Sequence, residues 1–131
     1  MDLPNSGAWR AWMSQWIRAF GQLAGADHVR LRMSHSRQPT CPKFHVDGVH
    51  LRLIATLSGP GTQWLPKEHV EYLPDGGISQ VPEPDRIEQM PAGSVGLFCG
   101  ARFDQTGQAG VVHRSPPEHT DRVVLILDIA A

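Results

Sequence analysis

The stretch from Arg122 to Ile129 constrains the fold more than any other part of this chain. It is the most apolar segment, and Val123-Val-Leu-Ile-Leu127 reads as a strand that has to be covered on both faces. Strand alternation places Arg122, Val124, Ile126 and Asp128 on one face and Val123, Leu125 and Leu127 on the other. A fold built around it therefore needs a layer on each side.

One layer is a helix. From residue 6 to about 23, Trp9, Trp12, Met13, Trp16, Ile17 and Phe20 follow an i, i+3, i+4, i+7 spacing, with Ser6 as N-cap and Gly21 or Gly25 as the stop. Such a stripe packs against a core. After it the pattern turns to short strands, punctuated by most of the 13 glycines and 11 prolines. Val29, Leu31 and Met33 alternate with His28, Arg30 and Arg32 as a half-exposed strand. Ser34 to Pro42 is polar and turn-rich. Phe44 to Asp47, Leu51 to Leu57, Thr62 to Leu65, Val95 to Cys99 and Gly110 to His113 read as further strands. His69 to Leu73 reads as an edge strand, and Pro74 to Pro84 as a loop. The expectation is one mainly β domain over residues 1–131. A supporting amphipathic helix occupies 6–25, outside a sandwich or jelly-roll core over 28–129.

Charge and composition exclude several classes. Twelve Lys and Arg stand against 13 Asp and Glu, which lacks the basic excess of a nucleic-acid binder. No run of about 18 apolar residues exists to span a membrane. The first residues interleave Trp9, Trp12 and Trp16 with Arg10 and Arg18, so no signal peptide is expected. Two cysteines, Cys41 and Cys99, make no disulfide framework, and a reducing cytoplasm is the default expectation.

The chemistry-bearing feature is Phe44-His-Val-Asp47 followed by His113. His45 and Asp47 are two apart, so on a strand both leave the same face. His113 ends an apolar stretch and supplies a third ligand from a neighbouring strand. Two imidazoles and one carboxylate on one side of a metal form the facial triad of non-haem Fe(II) sites, leaving the other side open. His28, His35, His50, His69 and His119 lack ligand spacing and read as surface residues.

The order of motifs resembles the double-stranded β-helix (jelly-roll, cupin-like) core of Fe(II)/2-oxoglutarate-dependent oxygenases, the prolyl hydroxylase-like members in particular. The elements are the H-x-D strand, the Leu51 to Leu57 strand ending in a Gly-rich turn, Pro91 to Phe98, His113, and Arg122 nine residues later. The likeness runs from about Phe44 to Asp128. It implies a divalent metal, Fe(II) before Zn(II), held by His45, Asp47 and His113. It also implies 2-oxoglutarate as cosubstrate, with Arg122 pairing its far carboxylate. Four strings are similar to a narrower bacterial family, domain of unknown function eighteen-twenty-six. They are Cys41-Pro-Lys-Phe-His-Val-Asp47, Leu51-Arg-Leu53, Gly59-Pro-Gly-Thr-Gln-Trp-Leu65 and Val112-His-Arg-Ser-Pro116. That family has no assigned reaction, and the setting of its genes implies a role under zinc limitation.

Other residues near these motifs are candidates with two readings each. Cys41 is a fourth ligand that would favour zinc, or a small buried hydrophobe, and Cys99 reads as core. Arg52 competes with Arg122 for the cosubstrate carboxylate, or pairs with Asp47 or Asp128. Trp64 walls the pocket or fills the core, the rim being preferred. Arg114 and Ser115 contact substrate or lie in a solvated loop. The leading expectation is an Fe(II)/2-oxoglutarate oxygenase-like protein taking a small-molecule cosubstrate and an unassigned substrate. Its rivals are a non-enzymatic zinc-binding or zinc-homeostasis protein, marked by closed four-ligand coordination, and a cupin-type metal enzyme that does not use 2-oxoglutarate, marked by the lack of a carboxylate clamp.

Overall fold

The computed structural model describes residues 6–118 and 121–130. One helix, α1 (Ser6–Ala24), precedes seven strands: β1 (Val29–Ser36), β2 (Leu51–Ser58), β3 (Gln63–Leu65), β4 (Glu88–Gln89), β5 (Val95–Cys99), β6 (Val112–Arg114) and β7 (Arg122–Ile129). Gly25 is the stop for α1. Its φ of 65° is the left-handed conformation that glycine adopts without a Cβ clash, and Ala26 N–H then donates back to Gly21 O at 2.9 Å. The cap expected of Ser6 involves a side chain outside those described, as does the surface position expected of His119.

The strands form two antiparallel sheets, one in the order β1-β7-β2-β5 and one in the order β4-β3-β6. His45 extends the second sheet by a bridge to His113, exchanging both backbone hydrogen bonds at 3.0 Å. As its composition requires, β7 is central, hydrogen-bonded to β1 on one side and β2 on the other. Its Leu125 and Leu127, with Leu51, Leu53 and Ala55 of β2, face α1 and pack with Phe20. Trp12, Met13, Trp16 and Ile17 cover that cluster from the helix side. The aromatic stripe therefore faces a core. Leu53 and Leu127 are fully buried, each contributing about 1.5–3 kcal/mol by burial.

A second core, Phe44, Leu65 and Val112, lies on the outer face of the other sheet under Val70, Ile78 and Ile87. Both apolar cores are thus outside the pair of sheets. The space between the sheets is lined largely by polar side chains, among them Arg52, Arg122, His45 and His113. Among the described residues, no helix is long and apolar enough to cross a membrane.

Several element boundaries differ from expectation. β1 continues to Ser36, because β7 pairs with it as far as Ser36 opposite Arg122 and overrides the polar composition of Ser34 to Ser36. His69 to Leu73 is not an edge strand. Lys67–His69 is a 3-10 turn, and the only ladder contact beyond it is the bridge Tyr72 to Ile78. Leu73 and Gly77 close that turn on themselves while Val70 and Ile78 cover the second core, so the segment packs as a lid rather than a ladder. The short β4 has no hydrophobic alternation to announce it. It is set by pairing with Gln63 and Trp64.

Candidate metal centre

His45 and His113 are brought together by the bridge that pairs them, and Asp47 lies two residues on, toward the same space. One ligand atom from each of the three residues lies within 4.8 Å of the others. His45 Nε2 is 3.2 Å from Asp47 Oδ1, and His113 Nε2 is 3.1 Å from Asp47 Oδ2. The imidazole Nδ1 atoms are engaged behind them, His45 with Lys43 O at 2.7 Å and His113 with Val111 O at 2.9 Å. A carbonyl only accepts, so each neutral ring carries its proton on Nδ1 and turns the Nε2 lone pair toward the centre. Phe98 packs 4.8 Å from the His113 ring and closes its back.

Three acceptors converging without a donor between them suit a cation. Asp47 Oδ2 is buried and makes no hydrogen bond among the described residues. His113 Nε2 and Arg52 Nη1 approach it to 3.1 and 3.2 Å, which is ion-pair distance without hydrogen-bond geometry. An orphaned buried carboxylate oxygen is costly unless something positive binds it. In the metal-free site burial pushes the Asp47 carboxyl up, but the two histidines, once protonated on Nε2, and the Arg52 charge outweigh it and hold it well below the usual carboxylate range. The Asp47 carboxylate in turn raises His45 above its usual value, against burial and Arg52.

The loop carrying Asp47 is held by the chain that leaves β5. Ala101 N–H donates to Asp47 O, Gly100 N–H to His50 O and Arg102 N–H to Val49 O, at 2.8, 3.1 and 3.1 Å. A Cβ on Gly100 would lie 2.0 Å from Val49 O, so this clamp requires glycine.

Arg52 and Arg122 both line the cavity but differ in what holds them. Arg52 is fully committed: Nε and Nη2 donate to Asp128 at 2.7 and 3.1 Å, and Nη1 lies beside Asp47. It steadies a metal-ligand candidate rather than waiting for a carboxylate. Arg122 is only 7% exposed and touches no carboxylate among the described residues. Its Nε donates to Pro60 O at 2.9 Å, and its Nη2 to Thr62 Oγ1 at 3.1 Å and Thr56 Oγ1 at 3.4 Å. Burial without a counter-charge pushes its pKa down.

The remaining candidates separate. Ser115 lines the cavity, with Oγ 3.2 Å from Thr40 Oγ1. Cys41 lines it too, accepting from Ser115 N–H through its carbonyl, but its sulfur is outside the converging group. Trp64 is not at the rim. It shares the His113 row of the sheet but lines a separate apolar hollow with Met90, Phe98 and Val111. Arg114 contacts neither the cavity nor bulk solvent alone. Strand parity opposite to His113 turns it outward, where its guanidinium sits 4.2 Å over the Phe44 ring and Nε donates to Gln63 Oε1. His28, His35 and His50 are exposed, whereas His69 is half-buried and accepts from Arg86 at 2.8 Å. Sequence reasoning assigned no role to Thr62, although it quoted the Gly-Pro-Gly-Thr string. It named Asp128 only as a partner for Arg52, and strand parity put it on one face with Arg122.

The family model described as "Protein of unknown function (DUF1826)" matches residues 1–128, and the chain belongs to that family. No curated protein matches it.

Proposed function

We propose that this DUF1826 member is a metal-dependent, Fe(II)/2-oxoglutarate oxygenase-like protein on a double-stranded β-helix. The strand order supports the fold: β1, β2, β5 and β7 fall in one sheet, while the His45 segment, β3, β4 and β6 fall in the other. The chain thus passes back and forth between sheets around a central cavity. The observation that carries the function is that a three-acceptor cluster and a buried guanidinium without a carboxylate line the same cavity.

Their spacing supports a dicarboxylate. Gln63 pairs with Arg114, so continuing the register sets Thr62 opposite Ser115, two residues along from His113. Arg122, bonded to Thr62, therefore lies about 7 Å of strand from the candidate ligand histidine. The cavity, about 230 Å³, lies just under the roughly 300–1,000 Å³ of drug-sized sites, a size that suits a compact dicarboxylate. His45, Asp47 and His113 would hold the metal from one side, and Arg122 with Thr62 would orient the far carboxylate. Ile54, Val124 and Ile126 exclude water between them. An Fe(II) ion with bound 2-oxoglutarate would supply the oxidising chemistry that activates oxygen toward a C–H bond. Because Cys41 does not converge, the ligand set supports an open site over closed zinc coordination.

The test is anaerobic titration of the Fe(II)-loaded protein with 2-oxoglutarate, followed by the visible charge-transfer band of the chelate. Arg122→Gln keeps the metal and weakens 2-oxoglutarate by tens of fold, the equivalent of about 1.5–3 kcal/mol for a charged hydrogen-bonded pair. An Fe(II) protein that never binds 2-oxoglutarate overturns the oxygenase reading. Loss of metal on Cys41→Ala moves the conclusion to zinc binding.

A further inference from the structure

We infer that the substrate carries a negatively charged group, received at the cavity mouth by Arg32 with the hydroxyls of Ser34 and the Thr40–Ser115 pair. This rests on the metal-and-dicarboxylate reading of the same cavity.

The first ground is the inverted polarity of β1. Ordinarily a strand of a two-layer β fold turns its apolar side inward. Here Arg32, Ser34 and Ser36 line the cavity, while Leu31 and Met33 on the opposite face are 39% and 50% exposed. Val29 packs on the α1-side core, but Leu31 and Met33 on that face stay partly exposed, forgoing roughly 25 cal/mol for each Å² of apolar surface left in water. The polar face is what the cavity receives in return. β1 is an edge strand, and Thr40 and Cys41 line the same cavity with it, so Arg32 stands at an open side of the site.

The second ground is charge. Asp128 and Asp47 engage Arg52, and a dicarboxylate would engage the metal and Arg122. The cavity, with the Asp128 carboxylate that holds Arg52, would then carry four negative charges, on Asp47, Asp128 and the two cosubstrate carboxylates. Against them stand five positive ones, on a divalent ion, Arg52, Arg122 and Arg32. The uncompensated charge is on Arg32, whose guanidinium makes no ion pair or hydrogen bond among the described residues. Substrate with one negative group completes the balance.

Donors are available beside it. Ser36 Oγ already donates to Gln38 O at 3.1 Å, but the Ser34 hydroxyl makes no hydrogen bond among the described residues. In the Thr40–Ser115 pair one hydroxyl accepts from the other, so one proton stays free. A guanidinium with two hydroxyl donors recognises a carboxylate or a phosphate monoester.

The experiment uses zinc-loaded, 2-oxoglutarate-saturated protein titrated with inorganic phosphate and, separately, with acetate. Binding is read from the Arg32 side-chain Nε–H and Ser34 amide resonances by NMR. The inference expects saturable shifts from at least one anion, weakened about tenfold or more by Arg32→Gln, with metal content and 2-oxoglutarate affinity unchanged. The tighter anion tells a phosphorylated from a carboxylated substrate. Arg30→Gln, on the same strand face but outside the cavity lining, must leave binding intact. Shifts that do not saturate, that survive Arg32→Gln, or that weaken equally in Arg30→Gln overturn the inference. Failure of 2-oxoglutarate to bind the Fe(II) protein overturns the underlying reading instead, and is scored before any anion is added.

Discussion

Replacing Asp128 with Asn removes one charge from the Asp128–Arg52–Asp47 chain with almost no change in volume. At about 3 Å and an effective dielectric of about 20, the direct attraction is roughly 5 kcal/mol before desolvation is counted. Breaking a fully buried pair costs about 3–5 kcal/mol. Here Arg52 and Asp128 keep 19% and 17% of their side-chain surface, and Arg52 retains Asp47, so about 2 kcal/mol is expected. With an unfolding entropy of about 2.1 cal/mol/K per residue, a 131-residue chain should lose about 7 °C in Tm. The functional effect is the sharper test. Released from Asp128, the guanidinium turns fully onto Asp47 and competes with the metal for its oxygens. Zinc affinity, measured by competition with a chromophoric chelator, should fall about 10–100-fold, as for other groups that orient metal ligands. Asp128→Asn protein that is less stable yet binds zinc with wild-type affinity would refute the claim that Arg52 positions Asp47.

Two other perturbations follow from the same geometry. Gly100→Ala sets a Cβ 2.0 Å from Val49 O and 2.9 Å from Asp47 O; neither backbone atom can yield without moving the Asp47 loop, so urea denaturation should show a loss of about 3 kcal/mol, with weaker zinc binding. A native-like midpoint would mean the clamp is loose. Zinc affinity should fall as pH drops from 8 to 6, because the raised pKa of His45 lets the proton compete above the usual value of 6.5. The metal-free protein should respond oppositely: a raised folded pKa contributes stability that is complete below the unfolded value and lost as pH rises through the folded one. Tm measured with and without zinc across that range checks both signs, and parallel curves would contradict them.

Much of the local architecture was legible because local patterns carry it. The 3.6-residue spacing of Trp12, Met13, Trp16 and Phe20 announces α1 and its buried face, and the aliphatic run in Arg122–Ile129 announces a central strand. Two-residue spacing put His45 and Asp47 toward one space, and parity alone put Arg122 and Asp128 on one face. Weakly patterned segments are not legible in this way, for a physical reason. β4 and the Lys67–Leu73 region take their form from what they pair with or cover, and neither carries a period of its own.

Which candidate does what was decided by tertiary structure. The sequence contains Arg52 and Arg122 as equivalent guanidiniums; only the register of β2 against β7, Arg52 opposite Asp128, commits the first and leaves the second without a carboxylate. Trp64 and Arg114 sit in strings that adjoin the candidate ligands, yet one lines a separate apolar hollow and the other turns to the outer face over Phe44. The meeting of His45 with His113, 68 positions apart, depends on one antiparallel bridge and the neighbouring Ser115 N–H to Cys41 O bond. Side-chain identity and spacing determine which chemistry a residue offers and which face of its own strand it leaves. Whether that group meets a partner, a cavity or solvent depends on long-range pairing, which no local period encodes.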